Sequence, residues 1–81
     1  MPYVYIVRCA DGTLYTGWTT DVARRIAQHN AGRGARYTRM RRPVELVYVE
    51  DMPDRSTAMR REWTIKKLDR ERKERLVELQ R

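Results

Sequence analysis

Apolar residues recur with a period of two in the first half of the chain and nearer three to four in the second, and this switch marks out the elements. Tyr3 to Arg8 is rich in β-branched and aromatic residues and predicts a strand. Cys9-Ala10-Asp11-Gly12-Thr13 follows, and Asp-Gly between apolar runs signals a hairpin, with Leu14 to Thr19 as the returning strand. Thr20 or Asp21 can cap a helix running to about Asn30, with Val22, Ala23 and Ile26 as a weak inner stripe and Gly32 and Gly34 ending it. Arg33 to Pro43 has no clear period and reads as a loop with room for a short helical turn. Val44 to Glu50 is a third strand. Alternation sets Val44, Leu46 and Tyr48 on one face and Val47 and Val49 on the other, so it is expected to be covered on both sides. Met52-Pro53-Asp54 breaks it.

Asp54 or Ser56 then caps a second helix, Arg55 to Leu68, with Ala58, Ile65 and Leu68 inward and Met59 and Trp63 flanking. A third helix starts near Asp69, is charged and exposed from Arg70 to Arg75, and uses Leu76, Val77 and Leu79. The order is β-β-α-β-α-α. Because the first two strands form a hairpin, the expected class is α+β, a three-stranded sheet flanked by helices. With 81 residues, no repeats and no linker, residues 1–81 read as one domain with a small core.

Composition adds a partner to this outline. The formal net charge is +7, and it is unevenly placed. Between Val22 and Val44 lie Arg24, Arg25, Arg33, Arg36, Arg39, Arg41 and Arg42, and no acid. Such a block points to a polyanion, and the plainer reading is a solvated loop that keeps the protein dispersed. Cys9 is the single cysteine, which rules out an internal disulfide, and the lack of a Cys/His cluster rules out a structural zinc site. No apolar run approaches membrane-spanning length and no signal peptide is visible, so a cytoplasmic protein without a membrane partner is expected.

Five polar residues fall where a core has no use for them. Glu62 lies four residues after Ala58 and three before Ile65, at the edge of the inner stripe. A carboxylate there costs free energy unless it is paired, with Arg25 a candidate, or bound to a metal. One carboxylate with water and substrate phosphate is the usual way Mg²⁺ is held. Arg25 and His29 are one helical turn apart and share a face beside Ile26. Taken singly, Arg25 is a solvated cation and His29 a capping or interior histidine. Tyr5 and Tyr15 lie on neighbouring strands, and Gly17 leaves room for a close approach to the backbone. The tyrosines also read as ordinary strand packing.

Together these residues resemble a known family. Tyr3-Val4-Tyr5, Tyr15-Thr16-Gly17, Arg25, His29 and Glu62 look like the GIY-YIG nuclease domain, with ten residues from Tyr5 to Tyr15 and ten from Tyr15 to Arg25. The chain is most similar to short stand-alone bacterial members. It shares with them Arg24-Arg25, Gly34-Ala35-Arg36-Tyr37-Thr38, Arg42-Pro43-Val44-Glu45-Leu46-Val47-Tyr48, and Arg61-Glu62 with Ile65-Lys66-Lys67.

The resemblance implies an endonuclease dependent on Mg²⁺ or Mn²⁺ that hydrolyses phosphodiesters, with DNA expected ahead of RNA. In that reading Tyr5 and Tyr15 are the motif tyrosines, Tyr5 as base and Tyr15 orienting water. Arg25 contacts the scissile phosphate, His29 assists the tyrosines and Glu62 holds the metal. Arg24, Arg33, Arg36, Arg39, Arg41 and Arg42 would follow the backbone. Tyr37 would either stack on an unpaired base or anchor the loop. A domain this small has little room for base readout, so selectivity for structure or single strands is expected. Two positions depart from the pattern. Tyr3 stands at the first motif's glycine, and Glu74 stands where many members carry asparagine. The alternative is therefore a weak or inactive nucleic-acid-binding module, or an accessory subunit that meets a protein partner through its C-terminal helix.

Overall fold

The computed structural model describes residues 1–80. Its elements are β1 (Tyr3–Arg8), β2 (Leu14–Thr19), α1 (Val22–Asn30), α2 (Arg36–Arg39), β3 (Glu45–Asp51), α3 (Arg55–Lys66) and α4 (Arg70–Gln80). The sheet is antiparallel with order β2-β1-β3, so β1 is central. The α+β class stands, and the short helical turn allowed for within the Arg33–Pro43 loop is α2, four residues long.

Local chemistry sets the boundaries. Gly12 turns the hairpin at φ 87°, and Gly32 takes φ 82° just beyond α1, where glycine is favoured because it lacks Cβ. Asp21 accepts from Arg24 N at 3.0 Å, Asp54 from Thr57 N at 2.7 Å and Asp69 from Arg72 N at 2.9 Å. Each carboxylate thus satisfies an orphan amide at a helix start.

β1 is paired along both edges, and packing on each side covers both its faces. Val4 and Ile6 join Tyr48, Met52, Ala58, Ile65 and Val77 in a hydrocarbon core under α3 and α4. Tyr5 and Val7 join Cys9 and Val44 in a smaller cluster, with Tyr15 and Ile26 against it. The expectation that β3 is the doubly covered strand is corrected. Of its residues only Tyr48 is buried, and Leu46 is exposed; it is also an edge strand of the sheet. The expected common face for Val44, Leu46 and Tyr48 is corrected too. Val7 pairs with Leu46 while Ile6 pairs with Tyr48, so Val47 is an extra residue. A bulge of this kind shifts the alternation, and it sends Val44 and Tyr48 to opposite clusters. Ala23 and Leu79, read as inward, are exposed.

Polar clamps fasten the remaining parts. Asn30 receives Val44 N at 2.7 Å and donates to Val44 O at 3.2 Å, which ties the end of α1 to the start of β3. Arg8 grips Glu74 with two nitrogens at 2.7 and 2.9 Å, which ties α4 to β1. Gln80 binds both backbone groups of Val49, accepting from N at 2.8 Å and donating to O at 2.5 Å.

Candidate active site

The antiparallel register sets Gly17 opposite Tyr5 and Tyr15 opposite Val7. All four side-chain positions are therefore on one side of the sheet. A Cβ on Gly17 would lie 2.5 Å from the Tyr5 hydroxyl, so the missing side chain is what lets that phenol occupy its place. Beside it opens a cleft of about 350 Å³, lined by Tyr5, Tyr15, Gly17, Arg25, Arg55 and Glu62 together with Trp18, Thr19 and Thr20. It runs between α1 and α3 along the β2 edge.

Tyr5 is almost wholly buried, and its hydroxyl meets His29 Nε2 at 2.8 Å. His29, also buried, places Nδ1 2.8 Å from Thr38 Oγ1, and Thr38 donates to the Ala35 carbonyl at 3.1 Å. A hydroxyl has one proton to give. Thr38 gives it to Ala35, so it must accept from His29 Nδ1–H. Nε2 is then the lone-pair nitrogen, and Tyr5 donates to it. The relay reads Tyr5 O–H to His29, His29 N–H to Thr38, Thr38 O–H to the main chain. Gly34 makes it possible, because a Cβ there would collide with the His29 ring.

Both titratable members are held neutral. Burial, and then the neighbouring Tyr15, push the Tyr5 phenol well above its ordinary range; Arg25 opposes this more weakly. Burial, followed by the positive charge of Arg25, lowers the His29 imidazole below its ordinary 6.5. Arg25 lies alongside Tyr5, where its charge and hydrogen-bonding favour the phenolate, and its buried Nε has no acceptor among the described residues. Arg25 lines the cleft, and a guanidinium there is suited to an incoming anion.

Glu62 makes its ion pair with Lys66 at 3.6 Å, one turn on, rather than with Arg25. Lys66 Nζ stands 5.6 Å from the Tyr15 ring centroid. The Glu62 side chain keeps 22% of its accessibility, so it is open to the cleft. Among the described residues no three His, Cys, Asp or Glu side chains gather into a ready metal cage. One accessible carboxylate in the same cleft as Arg25 fits a divalent ion that shares its shell with water and a substrate phosphate, the habit of Mg²⁺.

The arginine block divides by task. Arg41 bonds Asp11 at 3.1 Å and the Tyr37 carbonyl at 2.8 Å, and Arg42 bonds the Arg39 carbonyl at 2.9 Å. These two brace the α2 segment. Arg24 lies with Arg25 along a groove flanking the cleft, while Arg33, Arg36 and Arg39 are exposed and form no ion pair among the described residues. Tyr37 stacks on Tyr15 with centroids 5.8 Å apart and carries the Arg41 guanidinium 3.9 Å from its centroid. Glu74 is not among the residues lining the cleft. Two participants escaped the sequence reading. Arg55 lies seven residues before Glu62, two turns along one helix face, a spacing that could have revealed it. Thr38 stood in the quoted pattern, but nothing local showed that it would reach His29.

Paired phenols, a guanidinium and a carboxylate around one cleft are a set suited to handling a phosphodiester. Residues 1–75 match the GIY-YIG catalytic domain, and the chain belongs to that family of nucleases. A UPF0213 protein of Natronomonas pharaonis is 61% identical over 75 residues, covering 93% of this chain and 88% of its own length. One from Staphylococcus haemolyticus is 58% identical over 76 residues, covering 94% and 93%. Among solved structures, the solution NMR structure of a UPF0213 protein from Bacillus halodurans is 52% identical with TM-score 0.62, covering 98% of this chain and 85% of that one. None of the described helices is long and apolar enough to cross a membrane.

Proposed function

We propose that this protein is a divalent-metal-dependent endonuclease that hydrolyses phosphodiester bonds of DNA, selecting structure or unpaired strands rather than sequence. The convergence of Tyr5, Tyr15, Arg25 and Glu62 on one cleft, with His29 bonded behind Tyr5, carries the reading.

Arg25 binds the non-bridging oxygens and offsets the negative charge that develops on them. Tyr5 passes its proton to the Nε2 lone pair of His29 and, as phenolate, takes a proton from the attacking water. The water oxygen bonds to phosphorus as the bond to the leaving oxygen breaks. Thr38 holds the opposite imidazole proton, so Nε2 stays the accepting nitrogen. Tyr15, half-buried and braced by Tyr37, orients the water. In the free protein both shifts oppose this transfer, since burial disfavours phenolate and imidazolium alike. Mg²⁺ or Mn²⁺ held on Glu62 would supply the positive charge that favours the phenolate and neutralises the leaving oxygen. Arg24, Arg33, Arg36 and Arg39 supply contacts to the nucleic-acid backbone.

The inactive-module alternative drew on Glu74 in place of asparagine. Its fork with Arg8 gives that position a fastening role outside the cleft. The test is cleavage of single-stranded, flapped and duplex DNA with Mg²⁺ or Mn²⁺ by wild type, Glu62→Ala and Arg25→Ala. The expected result is products from wild type alone. Salt-sensitive binding with no product at any metal concentration favours the inactive module, and equal cutting by all three proteins removes the claim.

A further inference from the structure

Beyond the cleft, one surface of α3 stands out. Successive side chains on an α-helix are about 100° apart. Moving around α3 away from buried Ala58 and Ile65, Glu62, Arg55 and Lys66 come first, then Met59, then Trp63. The cleft wall therefore rises to an apolar shoulder. Trp63 is 61% exposed and Met59 53%. Tryptophan is highly buried on average, so an indole this open, one position past the Glu62 that lines the cleft, together with exposed Met59 makes a surface suited to being covered.

Charge says what that something is. Lys67 Nζ sits 3.4 Å from the Trp63 ring centroid, and Arg55 and Lys66 stand on the adjoining stripe. An apolar protein surface would gain little from docking among these cations. A nucleic acid presents a flat base and a phosphate together, and an aromatic ring flanked by cations matches both. Tyr37, the other exposed aromatic near the cleft, is already stacked on Tyr15 and capped by Arg41. Trp63 carries a cation on one face only and, with no ring stacked on it, is the most exposed aromatic among the described residues.

We propose that Trp63 stacks an unpaired base of the strand whose phosphate lies against Arg25, with Lys66 and Lys67 meeting neighbouring phosphates. The proposal rests on the nuclease reading and narrows its substrate to nucleic acid carrying an unpaired base beside the scissile bond. A duplex keeps its bases stacked inside and cannot offer one without extruding it.

Binding is measured in EDTA, so that cutting does not intervene, with short single-stranded DNA and the same sequence as duplex, each carrying 2-aminopurine. Wild type, Trp63→Ala and Trp63→Phe are compared after their melting temperatures are shown to agree. Trp63→Ala is expected to weaken single-strand binding roughly 5- to 100-fold, to leave duplex binding and the salt slope unchanged, and to abolish 2-aminopurine quenching, with Trp63→Phe recovering most of the loss. Equal single-strand affinity for wild type and Trp63→Ala overturns the proposal and fits a protein-facing indole. Equal losses on both DNAs, or no single-strand binding by wild type, also overturn it. The nuclease reading is judged separately, by cleavage with Glu62→Ala as control: Trp63-dependent binding without cleavage rejects catalysis alone, and cleavage indifferent to Trp63 rejects stacking alone.

Discussion

The two faces of β1 are buried to similar depth and by opposite means. Under α3 and α4, Val4 and Ile6 meet Ala58, Ile65 and Val77, and nearly every contact is hydrocarbon. Under α1 and α2, Tyr5 meets His29 and His29 meets Thr38, so hydroxyl and imidazole groups are sealed where they must satisfy one another. The first arrangement lowers free energy in proportion to apolar area. The second gains little net, because each hydrogen bond replaces one to water. What it gains is a fixed tautomer and a phenol held beside a guanidinium. One side of the sheet keeps the molecule folded, and the other holds chemistry in place.

That contrast can be broken most severely from the apolar side. Ile65→Ala should cost about 2–5 kcal/mol through lost transfer energy and a residual cavity. In a domain of this size this lowers the melting temperature by roughly 8 to 40 °C, while cleavage per folded molecule in the cold stays near wild type. Calorimetry and active-fraction titration check both halves.

Thr38→Val should do the reverse. It keeps the shape, leaves the His29 Nδ1–H without an acceptor and costs about 1–3 kcal/mol. Cleavage should fall more than stability alone explains, and the pH–rate profile should move because either tautomer is then free to form. Thr38→Ser restores the hydroxyl and should restore the profile. A Val variant with an unchanged profile would show that Thr38 only fills space.

Acid sharpens the same contrast. The folded state holds His29 below its ordinary value, so it favours the neutral ring. As pH falls through about 6.5 the unfolded chain takes up a proton that the folded chain refuses. Stability should therefore be fully present above that value and decline below it, by at most about 1.4 kcal/mol per pH unit from this residue, until the folded ring protonates as well. Urea titrations at pH 7.5 and 5.5 should show a smaller acid loss for His29→Gln.

The smallest effect is expected at Glu74. Each side chain of its pair with Arg8 is about one-third exposed, and such pairs are worth ~0–1 kcal/mol. Glu74→Asn should shift melting slightly and leave cleavage unchanged. A marked gain in rate would return this position to the active site.

What could be read from the chain follows how local each signal is. Asp21, Asp54 and Asp69 act on amides three residues away, so each was among the cap candidates the local spacing offered, with Thr20 and Ser56 as the alternatives at the first two. The Val47 bulge was not, because register belongs to a pair of strands, and strict alternation misplaced Val44 relative to Tyr48. The motif tyrosines, Arg25, His29 and Glu62 could be singled out as polar residues at apolar-stripe positions. Their bonding could not, since Tyr5 lies 24 residues from His29 and the proton order also depends on Thr38 and Ala35. Tyr37 shows the limit from the other side: an aromatic within a basic run looks free until Tyr15 and Arg41 are found against it.

The Gln80 amide carries a consequence for handling the protein. It mimics one rung of a missing fourth strand at Val49, on the outer margin of the sheet. Bare margins recruit other chains into continuous ribbons. Trimming the last helical turn to ease preparation would uncover that rung next to exposed Leu46, and material cut this way should self-associate as it is concentrated.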